Sequence, residues 1–156
     1  MKNLVLFTGA YPFLSGEQFL KDEIEILSNY FKNITIICVS EKPIKEKKIT
    51  KGNITSYYFR LKQNRLSKIS SIKYLFNKNV RSEILYSLKY KNDINTLSLV
   101  KIILLDFNKA KTISFLSKKI IAKSNYNADE TVFYSYWHDI RSISICLLKR
   151  HYPNSK

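Results

Sequence analysis

Glycine and proline are scarce, three of each in 156 residues, which argues against a loop-rich or all-β chain. Cysteine is scarcer still. Two residues cannot build a multi-bridge disulfide framework, and they point to a reducing compartment. No apolar run reaches the ~18 residues that span a bilayer. The N-terminus carries Lys2 but neither a long apolar stretch nor a small-residue cleavage site, so it does not read as a secretory signal. A cytoplasmic location is the expectation. Acidic side chains are few as well, 12 against 27 Lys and Arg, for a formal net charge of +15. Hydrophobic residues are not lacking. At 45% they supply a packed core and argue against wholesale disorder, and the length suits one domain or one piece of a larger protein.

The charge is uneven. Residues 1–50 hold seven basic and six acidic side chains, whereas residues 51–156 hold twenty and six. The most one-sided stretch, Arg60 to Lys91, has nine basic residues and a single acid, Glu83. Such a block attracts a polyanion: nucleic acid, an anionic lipid surface or a phosphorylated substrate. It is equally what an A/T-biased genome gives, because Lys, Asn and Ile rise together.

Leu4-Val5-Leu6-Phe7-Thr8 is apolar without alternation, as in a strand buried on both faces of a parallel sheet. After the break at Gly9 to Pro12, Ser15 and Gln18 fit a capping box, and Leu20, Ile24, Leu27 and Phe31 follow at helical spacing. Ile34 to Val39 reads as a second buried strand, completing a right-handed βαβ unit. Glu41 to Lys51 reads as a polar connector and Ile54 to Phe59 as a third strand. Residues 62–125 read as a basic helical segment, with Leu66, Ile69, Ile72 and Phe76 and then Val100, Ile103, Phe107, Ala110, Ile113, Leu116 and Ile120 in register. Thr131 to Trp137 reads as the fourth strand, and Asp139 caps a last helix carrying Ile143 and Leu147. The expected fold is α/β. It has a Rossmann-like parallel sheet of about four strands in the order 3-2-1-4, helices on both faces and a helical excursion before the last strand.

Two segments carry a resemblance. Tyr11-Pro12-Phe13-Leu14-Ser15-Gly16-Glu17-Gln18-Phe19-Leu20, followed by Glu23-Ile24 and Leu27, resembles the start of bacterial glycosyltransferase family 4 enzymes. There an aromatic-Pro turn leads into a Gly-Glu-x-Phe helix start. Tyr134-Ser135-Tyr136-Trp137 looks like a second signature of the group. The resemblance covers essentially the whole chain and implies a GT-B architecture, two Rossmann-like domains facing across a cleft. The N-terminal domain takes the acceptor and the C-terminal domain the nucleotide-sugar donor. Family members of polysaccharide and lipopolysaccharide synthesis transfer a sugar with retention onto a glycan or lipid-linked acceptor. The Arg-x-His-Gly stretch and paired glutamates of the family are absent from these 156 residues. Residues 1–156 therefore read as a single, incomplete acceptor-side domain, inactive alone, from a truncated gene product or a split enzyme with a separate donor-domain polypeptide. No bound cofactor is implied beyond the nucleotide-sugar donor of the complete enzyme.

Ligands of doubly wound sheets sit at the carboxyl ends of the strands. Gly16 there admits a ligand close to the backbone, beside a helix N-terminus suited to a diphosphate, or simply starts the helix. Glu17 either stabilises the first helical turn or accepts from sugar hydroxyls. On a strand, Tyr134 and Tyr136 share one face and Ser135 and Trp137 the other, where aromatic rings stack on sugars or pack the core. His138, just past the strand, is a weak catalytic candidate as acid or base, a donor to phosphate, or a surface residue. The binding set is Gly16, Glu17, Tyr136, Trp137 and His138. Cys38 and Cys146 read as buried thiols, and neither has a partner at metal-ligand spacing.

The basic segment pairs its charge with apolar neighbours, so Lys68, Lys73 and Arg81 are expected to face an anionic membrane at the inner face of the cell membrane. The competing readings are a nucleic-acid-binding module stacking bases on Tyr57, Tyr58 and Phe59, and a membrane-binding module without catalysis. No named nucleic-acid motif occurs.

Overall fold

The apolar runs at the start of the chain become neighbouring inner strands of one sheet. The computed structural model describes residues 2–62, 69–90, 95–124 and 126–156. Strands β1 (Asn3–Thr8), β2 (Asn33–Ser40), β3 (Lys48–Lys51), β4 (Ile54–Arg60) and β5 (Thr131–Ser135) form a mostly parallel sheet in the order β3-β4-β2-β1-β5. Helices α1 (Leu20–Leu27), α2 (Lys78–Lys89), α3 (Thr96–Lys123) and α4 (Ile140–Lys149) complete the α/β fold.

The four-strand count and the order 3-2-1-4 are corrected by β3, which lies in the supposed connector and pairs antiparallel with β4. Lys51 faces Ile54 across the two-residue turn Gly52-Asn53. Gly52 has φ +58°, the left-handed backbone that such hairpins require. The remaining pairs, β4–β2, β2–β1 and β1–β5, are parallel.

Parallel strands must be covered on both faces, and here they are. Leu4, Leu6, Ile34 and Ile36 point to one side and pack on Leu20 and Ile24 of α1. Val5, Phe7, Ile37 and Val39 point to the other, against Ile113 and Ile121 of α3 and Leu148 of α4. At 28 residues, α3 is about 42 Å long, well beyond the span of a six-residue strand. Its C-terminal half therefore lies on the sheet. Its N-terminal half overhangs the carboxyl end, where Leu104 and Phe107 make a satellite core with Tyr74, Val80 and Ile84.

Three local expectations change. Helix α1 starts at Leu20 with no side-chain cap, so Ser15 and Gln18 form no capping box. Gln18 Oε1 instead accepts from the Gly16 N–H at 3.0 Å. Residues 71–76 are a 3₁₀ segment, whose period of three buries Ser71 and Tyr74 and leaves Ile72 and Phe76 exposed. Asn77 and Asn95 cap α2 and α3 by accepting from backbone N–H groups. On α4 the inward positions are Ser144 and Leu148, so Cys146 faces outward and is an exposed thiol, while Cys38 is buried as expected. The predicted residues Leu66 and Lys68 lie outside the described residues.

Candidate functional site

In this strand order the chain leaves β1 toward β2 on one side, and β5 packs on the other. The topological switch point therefore lies between the carboxyl ends of β1 and β5, where open α/β sheets hold ligands. Gly9 follows β1 there, and Tyr136 and Trp137 follow β5.

Glu17 organises this place. Its side chain is buried, with the residue 5% exposed. Oε2 accepts from the backbone N–H groups of Ala10 at 2.7 Å, Tyr11 at 2.9 Å and Gly9 at 3.1 Å. Oε1 accepts from Trp137 Nε1 at 2.7 Å, and the Arg141 guanidinium stands 3.8 Å away. Burial pushes the carboxyl pKa up, but the N–H donors of Tyr11, Ala10, Trp137 and Gly9 outweigh it and hold it below the ordinary value. The carboxylate thus ties the turn after β1 to the bend after β5. It acts as a positioning group, and it lies ahead of α1 rather than in its first turn.

Arg141 is the second organiser. Its backbone N–H donates to Asp139 Oδ1 at 2.8 Å, and its Nε reaches both Asp139 oxygens at 2.9 and 3.0 Å, with a further short contact from the guanidinium. Asp139 is the helix cap read from the sequence. The guanidinium lies on Gly9: a Cβ at that position would sit 2.2 Å from Arg141 Nη1. A side chain at Gly9 would thus have to displace the end of the Arg141 side chain. Gly16 has φ +125°, and a Cβ there would meet only Ala10 Cβ, at 3.9 Å, so its constraint is the backbone conformation.

Strand β5 ends at Ser135, not Trp137, which removes the expected alternation of the last two aromatics. The bend is pinned because the Trp137 carbonyl accepts from Ser135 Oγ at 2.8 Å and Ser142 Oγ at 2.7 Å. The result is an exposed aromatic surface. Phe19 and Tyr136 ring centres are 5.1 Å apart, Tyr136 and Trp137 5.6 Å, and Tyr134 and Tyr136 6.3 Å. Trp137 is 45% exposed although its indole N–H is spent on Glu17. His138 is exposed beside this surface. Comparison with family models, curated proteins and solved structures finds no match to this chain.

The structure thus brings together Gly16, Glu17, Tyr136, Trp137 and His138, and it adds Gly9, Phe19, Asp139 and Arg141. Gly9 was findable as the residue directly after the first parallel strand. Arg141 was not, since no linear pattern pairs it with Glu17. The base-stacking trio is engaged elsewhere. Tyr58 is buried with its hydroxyl on the Lys42 carbonyl, Phe59 packs against the core, and Lys48 lies over the Tyr57 ring. Among the described residues no His, Cys, Asp and Glu group is arranged to hold a metal ion, and no helix is long and apolar enough to cross a membrane.

Proposed function

We propose that this chain is the acceptor-side domain of a retaining, nucleotide-sugar-dependent glycosyltransferase of the GT-B type, acting in polysaccharide or lipopolysaccharide synthesis. The supporting observation is the hydrogen bond between Trp137 and Glu17. It joins the two segments that carry the resemblance, at the switch point where ligands of such sheets sit. Glu17 and Arg141 fix the loop, and Tyr136, Trp137 and Phe19 offer ring faces on which a sugar stacks. His138, exposed just past the strand, is the candidate acid or base at a sugar hydroxyl in this reading. Most leaving-group stabilisation would come from a donor domain outside these residues, so the work of this half is positioning.

Trp137 is the only tryptophan, so its emission reports on this surface directly. Titration with bacterial glycan fragments should shift it saturably, and Tyr136→Ala should weaken binding. Nucleotide sugars alone should leave it unchanged. A response to nucleotide sugars without any response to glycans would overturn the acceptor assignment.

A second property is supported separately. Within the basic segment Ile69, Ile72, Leu85 and Tyr86 are exposed, as are Phe76 at 86% and Leu97 at 80%. Arg81 is exposed nearby, and the Lys73 ammonium lies over the Tyr74 ring at 5.2 Å. Apolar side chains among cations fit the interface of an anionic membrane, which would keep a lipid-linked acceptor within reach.

A further inference from the structure

A cavity of about 460 Å³ lies at the carboxyl end of β4, apart from the Glu17 site. Its walls are the 41–47 connector, residues Arg60 to Lys62, and the middle of α3. Tyr58, Leu61 and Leu105 contribute apolar surface, and Asn108 and Thr112 face it from α3. Four cations line it: Lys47, Arg60, Lys62 and Lys109. Their counter-charges are few. Lys109 lies 3.2 Å from Glu41 and 3.9 Å from Asp106. Arg60 Nε donates to the Glu41 backbone carbonyl at 3.1 Å, the side chain's one hydrogen bond among the described residues. Among the described residues, no carboxylate pairs with Lys47, Arg60 or Lys62.

We propose that this cavity binds a phosphate or diphosphate group carried on an organic body. A cleft lined by one sign of charge over low-dielectric walls concentrates the opposite charge. A planar guanidinium beside ammonium groups matches phosphate oxygens. The carboxyl end of a parallel strand is where such sheets take ligands. The apolar walls fit a body larger than a bare ion. Leu105 also lines a shallow apolar groove with Ile69, Ile72, Leu97 and Val100, so an apolar tail can continue from the phosphate. The site does not depend on the glycosyltransferase reading.

Calorimetric titration with inorganic pyrophosphate and with farnesyl diphosphate tests this, alongside sedimentation with phosphatidic acid vesicles. Saturable binding of either soluble probe at physiological salt is expected, tighter for farnesyl diphosphate. Arg60→Ala and Lys62→Ala should each weaken it about tenfold or more. Thr112→Phe should block it sterically without changing charge, while Lys123→Ala and Lys149→Ala should not affect it. If only the vesicles bind, and all these lysine and arginine variants weaken binding alike, the surface is a diffuse cationic one and the cavity site is wrong. Absence of binding by both soluble probes, with all variants folded by circular dichroism, also overturns it.

Discussion

A single buried carboxylate carries more of the switch-point geometry than any aromatic residue around it. Removing it as Glu17→Ala leaves three backbone N–H groups and an indole N–H without that acceptor, and the Arg141 guanidinium keeps only Asp139 as its counter-charge. Breaking such a buried pair costs about 3–5 kcal/mol, so thermal melting should fall by roughly 10 °C. The pH dependence follows from the lowered pKa of Glu17. A carboxyl held below its unfolded value, about 4.3, contributes stability above that value and loses it as pH falls through the folded one. Acid melts below about pH 4.3 should therefore be steeper in the wild type than in Glu17→Gln, and Trp137 emission should change with the same titration. Gly9→Ala forces the Arg141 guanidinium off the turn. Because that group is the far end of a flexible side chain, the cost should stay at about 1 kcal/mol or less and vanish in an Arg141→Ala background.

The long helix α3 is divided between a half that packs on the sheet and a half that overhangs it. Ile113 is fully buried in the C-terminal half of α3, so Ile113→Ala should cost about 2–5 kcal/mol by denaturant melting. Leu97 begins the same helix in the overhang, 80% exposed, and Leu97→Ser should stay within about 0.5 kcal/mol. The buried strands and the stripe of α3 were legible in sequence because core burial imposes period and apolarity on them. The start of α1 was not, because Glu17 pulls residues 9–11 into a turn by contacts that no capping pattern encodes. Strand β3 was missed because its lysines read as solvent-facing linker, although Gly52-Asn53 before a β-branched run is a hairpin signal. Of the site, Trp137 and Glu17 were visible as residue types in a pattern. Their mutual bond, and the place of Arg141 on Gly9, depend on the crossover that sets β5 beside β1.

Exposed apolar side chains such as Ile72, Phe76, Leu85 and Leu97 stand among cations in the segment that overhangs the sheet. Liposome sedimentation should show binding that needs anionic lipid and weakens with salt, and it should fall in Lys73→Glu/Arg81→Glu. Equal binding to neutral vesicles would overturn the electrostatic part. The purified 156-residue chain, incubated with nucleotide sugars and lipid-linked acceptors, should transfer no sugar, and turnover above background would place the chemistry here after all. The opposite concern is unwanted self-association, and the hairpin edge addresses it. Strand β3 spans four residues and bears Lys48 and Lys51 at its ends, both exposed. A short rim with like charges repels an identical rim, so a second sheet gains little by docking there. Replacing both lysines with valine would turn that rim into an adhesive one, and concentrated samples should then form thioflavin-positive fibrils where the parent chain stays clear.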